Sequence, residues 1–344
     1  MADVTIEQLI REFNKESGET VIGYGVPNRD VARIPFSSPR VNFMLYGGIP
    51  KNKMIEFAGP AWSGKTTSAI DICVNYLLME NAKKVVYIDY EGGFDENWAA
   101  TLGLDVSKIL LYQPEAISAE KLFDNIIKLV STDEVGLFVL DSIGQLVPKQ
   151  VQGKSLEDNQ LMGGVAKSLT RFCSEILPLL RKHECTAIMI NQVRDDMNSM
   201  YNLFTTPGGQ AFKHSCSARL IFTQGELFDE NGVTKPKSFA NPAGNIVNVA
   251  IKKIRGCRPD RKSGFYTLNY TEGIMFVEDT IDSALELGLI LQGGAWFSII
   301  DFETGSVIEK VSGKKSVVKY CHEHPEYFDL LSDKVQEGLS NYDR

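Results

Sequence analysis

Apolar residues along this chain follow two rhythms. Between residues 5 and 13, Ile6, Leu9, Ile10 and Phe13 recur at helical spacing, and Thr5 with Gln8 resembles a capping box. A short amphipathic helix is therefore expected to open the chain. The turn-rich stretch GETVIGYGVPNRD follows, read as a linker with a short strand at residues 20–22. From about Arg33 to Asn269, apolar runs alternate with helical segments: MIEFAG, VVYIDY, ILLYQ, LFVLD, TAIMIN, ARLIFT and NVAIKKI. Such alternation predicts an α/β core with a mostly parallel central sheet covered by helices on both faces. After Gly273 the pattern shortens to a small α+β domain in which TIDSALELGLI and SVVKYCHEH are the clearest helical runs. The expected organisation is an N-terminal helix and linker over 1–32, a core over 33–272 and a C-terminal domain over 273–344.

Composition narrows the class. A chain of 344 residues suits one large core with a smaller appended domain. No stretch approaches the ~20 apolar residues of a membrane span. The start, MADVTIEQLIREF, lacks the basic opening and continuous apolar run of a secretory signal, so a cytoplasmic protein is expected. Its six cysteines are scattered without CxxC spacing, which points to reduced thiols rather than zinc or disulfides. The net charge of −8 argues against a uniformly basic surface, but one groove need not share it. Residues 252–262, KKIRGCRPDRK, carry six basic residues against one acidic, and Lys310, Lys314, Lys315 and Lys319 form a second group.

Gly59-Pro60-Ala61-Trp62-Ser63-Gly64-Lys65-Thr66, followed by Thr67, fits the phosphate-loop pattern between a strand-like and a helical segment. Backbone amides freed by the glycines converge on phosphate oxygens, Lys65 reaches the terminal phosphates, and Thr66 holds magnesium. Asp141, after the apolar run LFVL, supplies the acidic group expected to orient magnesium through water. ATP and Mg2+ are thus the expected cofactors. Hydrolysis also needs a carboxylate to polarise water. Glu91 is the candidate, but Asp89 and Asp95 flank it, and residue chemistry alone leaves the choice open.

The order GPAWSGKTT, IDYEGGFD, FVLDSIGQLVPK, MINQVR and TTPGGQAFKH closely resembles the RecA family of DNA recombinases, phage-encoded members included. The likeness spans nearly the whole chain, from IPFSSPRVNFMLYGGIPKNKMIEFAGP to GAWFS in the tail. It implies a RecA-like P-loop ATPase core. It also implies that Glu91 is the catalytic carboxylate, that Asp95 lies near the adenine, and that Trp98 takes the place of the aromatic stacking on the base. Trp98 stands where the family usually has tyrosine, and Ala61 where it usually has an acidic residue. By the same resemblance Gln192 senses the terminal phosphate, and Lys253 and Arg255 reach a neighbouring subunit's ATP.

Two stretches match the family's DNA-binding loops. In the first, Met162, Gly163 and Lys167 fall on DNA-approaching positions. In the second, from Arg194 through DDMNSMYNLFTTPGGQAFKH, Met197, Met200, Tyr201 or Phe204 is the apolar group expected to enter between bases, and Gly208, Gly209 and Gln210 align without a gap. The C-terminal lysines fall in the lobe resembling the family's duplex-capturing domain.

The resulting expectation is an ATP-dependent recombinase that forms helical filaments on single-stranded DNA, with ATP at subunit interfaces, and exchanges strands with duplex DNA. Single-strand-binding and loader proteins are further expected partners. The alternatives are a ring helicase of the same core fold and a non-hydrolysing, ATP-binding recombination mediator.

Overall fold

Period-two alternation in the apolar runs puts their side chains into two cores, one on each face of a central sheet. A computed structural model describes residues 5–17, 22–23, 32–150, 164–195, 204–258 and 260–341. The chain divides into two units, Met1–Ala32 and Arg33–Arg344. In the first, helix α1 (Ile6–Ser17) is capped as expected: the Thr5 amide donates to Gln8 Oε1 at 2.9 Å and the Gln8 amide to Thr5 Oγ1 at 3.4 Å. Ile6, Leu9 and Phe13 form an exposed apolar stripe along it. Most of the strand expected at 20–22 lies outside the described residues. Ile22 is described, and its backbone pairs with the side chain of Asn14.

The second unit opens with β1 (Arg33–Ile34), α2 (Pro39–Met44) and β2 (Ile49–Pro50). Strand β3 (Met54–Gly59) then leads into α3 (Lys65–Leu77), followed by β4 (Lys84–Asp89), α4 (Glu96–Thr101), β5 (Ile109–Tyr112), α5 (Ala119–Ser131) and β6 (Val135–Asp141). After α6 (Gly164–Lys182) come β7 (Thr186–Gln192), the short β8 (Arg194–Asp195) and β9 (Phe204–Thr205), α7 (Gly209–Ser215), β10 (Ala218–Phe228), β11 (Thr234–Lys235), β12 (Gly244–Ile254), β13 (Ser263–Asn269) and β14 (Gly273–Ile274). The chain closes through α8 (Phe276–Glu286), β15 (Ile290–Gly293), β16 (Trp296–Ile300), β17 (Val307–Ser312), α9 (Lys314–Glu323) and α10 (Pro325–Asn341).

The main sheet runs β14-β13-β12-β10-β3-β7-β6-β4-β5, with β11 attached to β10. The ladders from β10 across to β5 are parallel. The run NVAIKKI differs from its neighbours: as part of β12 it lies antiparallel to β10. It follows β10 through the short β11 with no crossover helix between them, and parallel neighbours need such a crossover. Ile55, Phe57, Ile188 and Ile190 face the core beneath α3, whereas Met54, Ala187 and Met189 face the core shared with α5 and α6. Burial on both faces explains why these strands read as unbroken apolar runs.

Residues 277–339 build a third core in which α8, α9 and α10 pack against the antiparallel sheet β15-β16-β17. Helices α8 and α9 cover most of the two helical runs singled out in the sequence. Arg40 of α2 ties this region to the large sheet, bonding Glu286 at 2.6 Å with its guanidinium over the Phe265 ring.

Two carboxylates are buried in these packing layers. Asp71 of α3 accepts from the Ser37 amide and hydroxyl and from Asn75, and Asp279 of α8 accepts from Thr267. Burial pushes each up to about 6, against these hydrogen bonds. The folded state therefore binds the proton more tightly than the unfolded chain. This contribution is complete below the ordinary carboxylate value of 3.8 and is lost as pH rises through about 6. Asp71→Asn should remove its share of that slope. Between about pH 5 and 7.5 the wild-type melting temperature is expected to fall relative to the variant; parallel curves would refute it.

Candidate functional site

Four neighbouring parallel strands end together at their carboxyl edge. Gly59 of β3 lies beside Gln192 of β7, and Asp89 of β4 beside Asp141 of β6. Open parallel sheets bind ligands outside this edge.

From Gly59 the backbone turns into α3 through Gly64, whose φ of +89° is left-handed. A Cβ at Gly59 would come within 2.3 Å of the Phe222 carbonyl oxygen, and one at Gly64 within 2.9 Å of the Tyr266 hydroxyl, so only glycine fits at both. Lys65 Nζ donates to Pro60 O at 2.5 Å and Ser63 Oγ to the same oxygen at 2.8 Å. Burial lowers the Lys65 ammonium, opposed by the charges of Asp141 and Glu91. Trp62, at φ +61°, is 90% exposed beside Ala61 at the loop's tip.

Thr66 Oγ1 and Tyr87 Oη each donate to Asp141 Oδ2 at 2.9 Å. Burial raises Asp141, these two hydrogen bonds lower it, and the charges of Glu91 and Asp89 raise it further. A hydroxyl beside a carboxylate, next to a phosphate loop, is the sparse oxygen donor set that magnesium accepts when phosphates and water complete its octahedron. The residues therefore fit the ion.

Geometry separates the three carboxylates of IDYEGGFD. Asp89 accepts from the amides of Gly92, Gly93 and Phe94 and from Gln113 Nε2, all within 3.1 Å, so it shapes its own loop. Asp95 caps α4 through the amides of Asn97 and Trp98. Glu91 is exposed, and its Oε1 accepts from Gln192 Nε2 at 2.9 Å. Of the three it is the carboxylate not committed to backbone amides.

A cavity of about 660 Å³ runs from Ala61–Thr67 to Trp98, whose Nε1 lies 3.4 Å from Thr67 Oγ1. Its far wall is Gln224, Asn245, Leu268 and Tyr270, with Tyr270 Oη donating to Asn245 Oδ1 at 2.8 Å. Sequence reasoning missed this wall. With Trp62 at the loop, Trp98 and Tyr270 make it a slot with aromatic walls, suited to a flat heteroaromatic base. Asp95 does not line this cavity; three residues before Trp98, it fixes the start of the helix that carries it.

Lys253 Nζ donates to Lys213 O at 2.9 Å and His214 O at 2.8 Å, and Arg255 Nη2 to His214 O at 2.6 Å. Both cations thus hold the C-terminal carbonyls of α7, where positive charge is favoured. The pairing of β12 with β10 skips Lys252, so a β-bulge separates it from this pair.

Of the expected DNA-contacting residues, Met162, Gly163, Met197, Met200 and Tyr201 lie outside the described residues. Arg194 and Phe204 belong to the antiparallel pair β8-β9. Lys167 is exposed on α6. Gly208, at φ +108°, begins α7 so close to α6 that a Cβ would meet Leu169 at 2.9 Å; Gly209 and Gln210 follow it and are exposed.

Comparison with known proteins gives a consistent picture. A family model of the RecA N-terminal domain matches residues 1–275. Protein RecA of Chloroherpeton thalassium is 33% identical over 297 residues, covering 85% of this chain and 77% of its own length. Protein RecA of Aquifex aeolicus is 30% identical over 338 residues, covering 98% and 92%. Among solved structures, the RadB recombinase superposes with a TM-score of 0.50 at 22% identity, covering 68% of this chain and 95% of its own, a likeness of fold.

Proposed function

The chain belongs to the RecA family of DNA recombinases, and from that premise we propose that it assembles on single-stranded DNA with ATP between subunits and pairs that strand with a homologous duplex. The observation that carries this reading is the Gln192–Glu91 hydrogen bond. It joins a carboxylate placed to activate water to the end of the strand from which the second DNA loop departs, so one amide touches both functions.

Each group then has a task. Lys65 and the amides of the phosphate loop hold the ATP phosphates, while Trp98 and Tyr270 enclose the base. Thr66 would hold Mg2+ directly and Asp141 through water, and the ion would supply charge neutralisation at the phosphates. Glu91 takes the proton of the attacking water. Lys253 and Arg255 of one subunit stabilise charge at the next subunit's terminal phosphate. Lys167, Arg194, Gly208, Gly209 and Gln210 hold the strand, with an apolar residue of the second loop between bases.

The deciding experiment is strand exchange between a fluorescent single strand and a homologous duplex, with ATP, with a slowly hydrolysed analogue, and with neither. Homology-dependent pairing that requires nucleotide is expected. DNA-dependent hydrolysis without pairing would favour a motor, and pairing without nucleotide would refute the scheme.

The C-terminal lysines belong to the same scheme. Lys314 is paired with Asp282 at 2.6 Å and Lys319 with Glu323 at 3.6 Å, whereas Lys310 and Lys315 carry no ion pair among the described residues. Replacing Lys310 and Lys315 by alanine should weaken duplex capture and lower its salt slope by about 2, with single-strand binding little changed. Equal loss for both kinds of DNA, read by fluorescence anisotropy against salt, would argue against a duplex-specific role.

A further inference from the structure

A carboxylate lies fully buried within the sheet, outside the nucleotide site. Glu56 is on β3, three residues before the phosphate loop begins, and faces the side of the sheet that carries α6 and α7. Its Oε2 pairs with Arg219 Nε of β10, and its Oε1 accepts from Asn191 Nδ2 of β7 at 2.9 Å. The partners do not stop there. Asn191 Nδ2 also donates to Pro207 O at 2.9 Å, and Arg219 Nη2 donates to Thr206 Oγ1 at 3.1 Å. Thr206 and Pro207 are the return limb of the second loop, just before Gly208 and α7. One buried carboxylate thus fastens that limb to the strand that starts the phosphate loop.

The orientation of Asn191 follows from its surroundings: both near neighbours are acceptors, so its NH2 must face them. Its Oδ1 is buried without a partner. Successive strand residues point to opposite faces. Asn191 therefore grips the loop on one side of the sheet while Gln192, next in the chain, reaches Glu91 on the other. A buried ion pair is weak evidence for stability, since desolvation offsets its attraction, but it fixes geometry sharply. The far end of α7 is held by Lys253 and Arg255, the cations assigned above to a neighbour's phosphates.

We infer that Glu56, acting through Asn191 and Arg219, is a positioning residue that couples nucleotide binding to DNA binding, serving as the fixed pivot of α7 and the second loop. The inference rests on the recombinase reading. When Lys253 and Arg255 turn to a neighbour's ATP, the C-terminal end of α7 is released, and the clamp at Thr206–Pro207 determines how the loop moves.

The test uses Asn191→Leu, which removes both amide bonds and keeps the Glu56–Arg219 pair, and Thr206→Val, a near-isosteric loss of one hydroxyl. Affinity for a fluorescent oligothymidine strand is measured with ADP and with a slowly hydrolysed ATP analogue. Melting temperature and analogue affinity without DNA are measured alongside. Allosteric coupling is typically about 5- to 150-fold and reciprocal between ligands. Wild type should show strengthening in that range, and Asn191→Leu less than about three-fold, with analogue affinity unchanged. Thr206→Val should lie between them, and it decides alone if Asn191→Leu does not fold. Undiminished strengthening in the folded variants would overturn the clamp, as would loss of analogue affinity in step with DNA affinity. A wild type whose DNA affinity ignores the nucleotide would overturn the recombinase reading itself, and the clamp with it.

Discussion

Glu91→Gln is expected to lower DNA-stimulated ATP turnover by about 10²- to 10⁴-fold, the range for removal of a general base, while ATP affinity stays within about two-fold. Glutamine keeps the size of the side chain and a hydrogen bond to Gln192 but cannot take a proton. The neighbouring carboxylates are not free to substitute: Asp89 is occupied by three loop amides and Gln113, and Asp95 by the first amides of α4. Phosphate release in the presence of single-stranded DNA reads the first quantity, and displacement of a fluorescent nucleotide the second. Turnover within ten-fold of wild type would remove Glu91 from the reaction. Loss of turnover matched by loss of binding would make it a ligand group instead. Because the Gln192–Glu91 contact survives in this variant, ATP should still strengthen DNA binding, so the variant separates hydrolysis from coupling.

How much of this was legible in the sequence depended on how local each signal is. The phosphate loop occupies eight consecutive residues with two obligatory glycines, and both prove to be positions where a Cβ would collide. The parallel strands were legible because burial on both faces leaves unbroken apolar runs. Strand direction was not, since NVAIKKI looks like its neighbours yet runs antiparallel. An α+β tail was expected, but β15 to β17 could not be located individually because outward residues such as Leu291, Trp296, Val307 and Ile308 are themselves apolar, which blurs the polar alternation of a one-sided sheet.

The site divides in the same way. Glu91 could be named but not preferred over Asp89 and Asp95 from residue chemistry, because the difference lies in which amides each accepts. Tyr270 and Asn245 carried no local signal at all. They lie some 150 residues or more from Trp98 and the phosphate loop in the chain, and only the order β13-β12-β10-β3 brings them to the far wall of the cavity. Glu56 reads simply as one polar residue in an apolar strand, and its partners come from β7 and β10.

Replacing Lys253 and Arg255 together by alanine is expected to lower turnover by about 10³- to 10⁵-fold, the range for loss of a cation supplied in trans to a transferring phosphoryl group. Size alone does not prove that the groups act across an interface, because in this chain they also hold the end of α7. Mixing distinguishes the two. The double variant keeps Glu91, and Glu91→Gln keeps both cations, so an interface pairing the nucleotide site of the first with the cations of the second is complete. In a head-to-tail filament assembled at random from equal amounts, about a quarter of interfaces have that composition. An equimolar mixture of two nearly inactive proteins should therefore hydrolyse ATP at about a quarter of the wild-type rate. If the cations serve their own subunit's nucleotide, every site in the mixture lacks one essential group, and the rate stays at the sum of the two variants measured alone. If they act only by holding α7, the double variant should instead lose nucleotide-dependent strengthening of DNA binding, and mixing should not restore it.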